Sequence, residues 1–170
     1  AWKNPVTGLT GQKQMFQLEA TNPKTGVKYP VKDGYISVIA SGNDVLAFSG
    51  GGRRILEKGD AYSFDFTPIP SVAEALDKAR AAIDKFIKST RLDNHHALKR
   101  ALVENKASFF SDDSILVEEV IFGGKLCLQI TSNAGEFVHD HRSDKITAHR
   151  LAFVDYFESR AAARAAKEVH

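Results

Sequence analysis

A strand-rich stretch closed by an amphipathic helix occurs twice in this chain, and few folds accommodate that duplication. In residues 71–88, Val72, Leu76, Ala79, Ile83, Phe86 and Ile87 fall on one stripe, while Asp77, Lys78, Arg80, Asp84, Lys85 and Lys88 cover the rest. Ser71 opens this helix with Glu74 three residues on, the spacing of a capping box. A second helix is predicted from Asp144, whose short carboxylate suits an N-cap. It places Ile146, Phe153, Val154, Phe157 and Ala161 in one sector of a helical wheel, with Asp155 and Ser159 opposite. Each stripe must be buried against something, and the strands just before it are the available partner.

Those strands follow from alternation and turn chemistry. Residues 14–20 are followed by the turn Asn22–Pro23–Lys24–Thr25–Gly26, and residues 35–40 turn back at Gly42–Asn43–Asp44 into 45–48. Gly50–Gly51–Gly52 reads as a hairpin turn into 53–57, and Tyr62, Phe64 and Phe66 alternate with Ser63, Asp65 and Thr67 as a half-buried strand. A short helix over about 93–105 turns Leu98, Ala101 and Leu102 inward. Strands then restart at 108–110, 115–122, 125–131 and 136–141. The expected fold class is α+β, two successive β-β-β-β-α units with antiparallel sheets packed on helices. Residues 1–11 read as an irregular arm, and 12–170 as one domain with repeat halves at about 12–90 and 107–165.

Composition places the chain among globular proteins, with 43% hydrophobic and 26% charged residues, and no apolar run reaches membrane-spanning length. A net charge of +2 leaves any attraction to a polyanion to the distribution of charge. Residues 1–32 hold Lys3, Lys13, Lys24, Lys28 and Lys32 against Glu19 alone. The single Cys127 excludes an internal disulfide and fits a reducing compartment. The chain opens on no signal-like stretch, so any targeting peptide is expected to have been removed.

No catalytic constellation stands out. There is no Gly-x-Ser-x-Gly elbow, and Cys127 between Leu126 and Leu128 is poorly set for a thiolate. Asp112–Asp113 and Glu118–Glu119 read as a turn and a strand edge. Gly50–Gly51–Gly52–Arg53–Arg54 lacks the helix start that a phosphate loop requires. His139 and His141 share one face of a strand and His149 follows on the predicted helix, yet no carboxylate or cysteine completes a set, so no functional metal or cofactor is expected. Arg150 projects into the predicted apolar stripe, where it either snorkels or meets a carboxylate at a subunit boundary.

Basic residues interleaved with aromatics on strands suit single-stranded nucleic acid, cations holding phosphates and rings facing bases. Lys24, Lys28, Lys32, Arg53, Arg54, Lys58, Lys125 and Arg142 all fall on predicted strands or beside them. A solvated sheet face is the plain alternative from composition alone. Tyr62, Phe64 and Phe66 suit packing beneath a helix better than binding.

Two units of four strands and a helix, ending in a long amphipathic helix, resemble the Whirly fold. The plant single-stranded-DNA-binding Whirly proteins and the kinetoplastid mitochondrial guide-RNA-binding proteins share that fold. The local likenesses are residues 107–112, similar to the strand after the first helix, and 146–157, similar to the last helix. The Lys-Gly-Lys-Ala-Ala-Leu signature of the plant proteins is absent, which turns the resemblance toward the kinetoplastid branch or a remote relative. The resemblance implies a non-enzymatic homo- or hetero-tetramer assembled through its helices, with no membrane association. It implies binding of single-stranded RNA, more than DNA, by backbone contacts on the sheets, and promotion of annealing in mitochondrial RNA editing. The competing class is a small-ligand-binding or enzymatic domain with a pocket between sheet and helices and His139 and His141 at its mouth. A third is a structural subunit with no nucleic-acid contact.

Overall fold

A computed structural model describes residues 1–51, 63–89 and 92–153. The fold is mixed α+β, with a large multi-strand sheet and two helices among the described residues. The strands are β1 (Trp2–Lys3), β2 (Thr10–Thr21), β3 (Lys28–Ser41), β4 (Asp44–Gly51), β5 (Leu116–Phe122), β6 (Lys125–Ser132), β7 (Gly135–Asp140) and β8 (Lys145–Leu151). The helices are α1 (Val72–Ile87) and α2 (His96–Asn105), followed by 3-10 turns at Lys106–Ser108 and Asp112–Ser114. The chain divides into two compact units, residues 1–67 with 120–126, and 68–119 with 127–170.

The first unit is built on β3. Antiparallel β2 runs along one edge, from Thr21 opposite Lys28 to Gln12 opposite Ala40. The other edge pairs with β4 over Tyr35–Ser41 and, in parallel, with Ile121 of β5 at Val31. The pairing is therefore not purely antiparallel. Between these partners β3 kinks at Asp33, whose φ is 56°. Gln17 of β2 fills the kink, its Nε2 donating to the Val31 and Gly34 carbonyls at 2.7 Å each. Gly34 is required there, since a Cβ would lie 2.9 Å from the Val31 side chain. Residues 1–11 contain order that the sequence does not advertise: Trp2 and Lys3 pair with Gly11 and Thr10, closed by a turn in which Asn4 Oδ1 accepts from the amides of Val6 and Thr7.

Two further sequence expectations change in this unit. Gly50 and Gly51 are strand residues of β4, opposite Ile36 and Tyr35, rather than a turn. Their lack of a side chain answers close backbone approach: a Cβ at Gly50 would lie 2.6 Å from the Tyr35 carbonyl oxygen, and one at Gly51 would collide with the Asp33 carbonyl. Of the alternating stretch expected at 62–66, the described residues 63–66 form an isolated parallel bridge, Asp65 with Lys125, rather than a named strand. Phe66 packs on Tyr29 at 5.8 Å and beside Phe64 at 6.1 Å, within the strand unit rather than beneath a helix. Tyr62, the strand expected at 53–57, and Arg53, Arg54 and Lys58 lie outside the described residues.

The second unit packs α1 on β7 and β8. Ser71 caps α1 as its spacing implies, its hydroxyl accepting from the Glu74 amide at 3.2 Å. Ala79, Ile83 and Ile87 of the expected stripe are buried and Leu76 and Phe86 pack against the core, while Ala75 joins the buried line and Val72 is exposed. Two alanines with no exposed surface let the helix approach closely. Phe153 lies between Phe86 at 5.3 Å and Phe109 at 5.8 Å, and Phe110 meets Phe137 at 6.0 Å. Leu128, Ile130 and Phe137 complete the core from the strands.

The predicted final helix is corrected here. Residues Lys145–Leu151 form β8, paired with β7 from Asp140–Lys145 to Gly135–Leu151, and helix begins only at Ala152. The polar run 140–144 is a hairpin turn: Asp140 accepts from the Arg142 amide at 3.1 Å and the Ser143 hydroxyl at 3.0 Å, and Asp144 is left-handed at φ 53°. Ile146 therefore lies on a strand, while Val154, Phe157 and Ala161 lie outside the described residues. Arg150, opposite Glu136 on β8, is exposed, so the cost of burying it in an apolar stripe does not arise. Residues 108–110 are also not a strand; Phe109 and Phe110 are buried in a turn.

Candidate nucleic-acid interface

Lys24, Lys28 and Lys32 come together on the β2–β3 hairpin. Asn22 builds its turn, accepting the Gly26 amide on its carbonyl at 2.8 Å and the Lys24 amide on its side chain at 3.0 Å. Gly26 supplies the positive φ of 72° that a β-branched residue would resist. Lys24 is thereby held at an exposed tip. Lys28, Pro30 and Lys32 share one face of β3 by alternation, with Lys28 opposite Thr21 and Pro30 opposite Glu19. Lys28 is exposed and Lys32 half-buried. Four residues of strand separate the two lysines by about 13 Å, beyond the roughly 8 Å screening length of physiological salt, so their charges are largely screened from one another. Glu19 shares their face and offsets part of their field.

The other expected cations are placed differently. Lys125 opens β6 after the turn Gly123–Gly124, exposed, and its strand is tied to Asp65 by Asp65 N–H donating to the Gly124 carbonyl at 2.9 Å. Arg142 belongs to the second unit, where its guanidinium lies 3.7 Å from Asp140 Oδ1 and is mostly sheltered.

A feature missed from the sequence lies on β2, β3 and β4. Cross-strand partners share a sheet face, and the register sets Phe16 beside Ile36 and Gly50, and Gln14 beside Val38 and Phe48. Phe48 is 79% exposed and Phe16 52%. Beside them runs a groove of about 640 Å³, lined by Thr10, Gln12, Gln14, Val38, Ala40 and Ser41 among others. No lining side chain carries a charge. Alternation marks such residues as sharing a face, but only the fold says that this face is open.

The histidines do not form a surface pair. His139 is 1% exposed, with Nε2 3.4 Å from Asp144 Oδ1; His141 sits in the turn and His149 on β8. Among the described residues no group of three His, Cys, Asp or Glu side chains is placed to hold a metal ion. A cavity of about 560 Å³ opens in the second unit against α1, α2 and the turn after it, lined by Arg80, Ile83, Asp84, Val103, Lys106 and Phe110 among others. Neither His139 nor His141 lines it. Its cations are already engaged, Lys106 with Asp84, and Arg80 with Asp77 at 3.0 Å and over the Phe110 ring at 5.8 Å. No helix among the described residues is long and apolar enough to cross a membrane.

No protein-family model, curated protein or solved structure matches this chain.

Proposed function

We propose that this chain is a non-enzymatic, single-stranded nucleic-acid-binding protein, taking RNA in preference to DNA by its phosphate backbone. The observation that carries this reading is the β2–β3 hairpin, which gathers Lys24, Lys28 and Lys32 at one end of the first unit. Among the described residues the Lys24 and Lys28 ammonium groups make no ion pair within the chain and remain available to phosphate. The Whirly resemblance supports the same reading. Among the described residues the order of strands and helices, β1–β4, α1, α2 and β5–β8, supports that comparison. By that resemblance the protein assembles as a tetramer through its helices, works in the mitochondrion, and promotes annealing of guide RNA to messenger.

Fluorescence anisotropy with single-stranded RNA, single-stranded DNA and duplex, at two salt concentrations, tests it. Changing Lys24 and Lys28 together to alanine should weaken binding across unrelated sequences and reduce the log–log salt slope by about 1.4, since each single-strand phosphate contributes roughly 0.7. Wild-type protein that binds none of the three probes at low salt would overturn the proposal.

A further inference from the structure

We infer that the open face of β2–β3–β4 is a second contact of the same ligand, a platform on which unpaired bases stack against Phe16 and Phe48. The inference rests on the nucleic-acid reading above and adds base contact to it. Phe16 on β2 and Phe48 on β4 lie two strands and one rung apart on the same face. Strand spacing and rise put their Cα atoms about 12 Å apart, so the rings serve separate bases. Gly50, on the other side of Ile36 from Phe16, adds no side chain to this face.

The chemistry of the surroundings selects the occupant. An apolar partner would cover Phe16 and Phe48 but would strip water from Thr10, Gln12, Gln14 and Ser41 without replacing its hydrogen bonds. A ligand recognised by its phosphates alone would make no use of two exposed rings. An unpaired nucleobase offers a flat face to the ring and donors and acceptors at its edge to the amides of Gln12 and Gln14. The cations that hold its backbone are supplied by the far end of the same β2–β3 pair.

The test uses a fluorescently labelled oligouridylate and an abasic oligomer of equal length, with the whole chain. Phe48→Ala and Phe16→Ala should each weaken oligouridylate binding about tenfold or more and leave the abasic oligomer unaffected. Phe48→Leu, which keeps the apolar surface and loses the ring, should weaken it similarly. Circular dichroism and the unfolding midpoint of each variant establish that the fold persists. Unchanged affinity in both alanine variants, with wild-type protein still binding both probes, overturns the stacking platform and leaves the lysine hairpin standing. Failure of the wild type to bind either probe instead sinks the underlying function. If Phe48→Ala converts a self-associated protein to monomer without changing oligouridylate binding, the face joins copies of the chain and the inference is wrong.

Discussion

Lys78 of α1 and Asp144 of the β7–β8 turn meet at 2.7 Å, joining a helix to a hairpin 66 residues further along the chain. Asp144 is doubly held. The hydrogen bond from Lys78 comes first and that with His139 second, and together they keep its carboxyl below the usual carboxylate range. The same hydrogen bond raises Lys78 above the usual ammonium range.

The pH dependence follows from these directions. A depressed carboxylate contributes stability above its unfolded pKa and loses it as pH falls through its folded one. A raised ammonium contributes below its unfolded pKa and loses that contribution as pH rises through its folded one. The pair therefore acts between the acidic and strongly alkaline limits. Asp144→Asn keeps a residue that tolerates the left-handed backbone and removes the charge. The urea midpoint gap between wild type and Asp144→Asn should be open near neutrality and close in acid. A gap that widens as pH falls contradicts the pairing.

Glu19 shares the face of Lys28 and Lys32 and opposes them. Glu19→Gln should tighten oligouridylate binding at low salt, and the gain should fade as salt screens it. Lys85→Ala, on an exposed turn of α1, serves as the control and should leave affinity unchanged. A larger loss from Lys85 than from the hairpin lysines would move the interface to the helix.

Gly50→Ala should cost roughly 1–3 kcal/mol, because the added Cβ meets a carbonyl of β3 rather than a flexible side chain. Chemical denaturation reads this directly. A neutral outcome would mean that β4 is not paired as described.

Phe137, fully buried at the centre of the second unit, should cost about 3–5 kcal/mol on truncation to alanine. Ser71→Ala should cost about 1 kcal/mol through loss of the cap. Guanidinium unfolding that ranks them in the reverse order would contradict the packing of α1 on β7.

The helices and the central strands were legible because each carried two agreeing signals. Alpha-helical spacing and the Ser71–Glu74 cap coincide in α1, and alternation with a Gly-Asn or Gly-Gly turn coincides in β3–β4 and β5–β6. The stretch after Asp140 carried conflicting ones. Its short polar residues suit a helix start as well as a hairpin, and Ile146 with Phe153 fits a helical spacing while Lys145–Leu151 pairs as a strand. What decides is β7, whose free edge offers a full row of hydrogen bonds, and no local pattern reports that. The lysines of the candidate site were visible as a charge imbalance in residues 1–32. Phe16 and Phe48 were not, because alternation assigns residues to faces without saying which face water sees.

Two strands distant in sequence, β4 and β5, divide a single edge of β3, and the boundary between them is the left-handed Asp33. Main-chain geometry at one residue thus decides which neighbour takes each carbonyl. The Gly42–Asn43 turn fixes the register of β4 on residues 35–41, so an insertion beside Asp33 would leave Phe48 opposite Val38 and instead shift that hairpin against Val31 and β5. Because β2 spans both sides of Asp33, it alone ties the ring-bearing surface to the lysine-bearing end, and a change of its length would be felt at both.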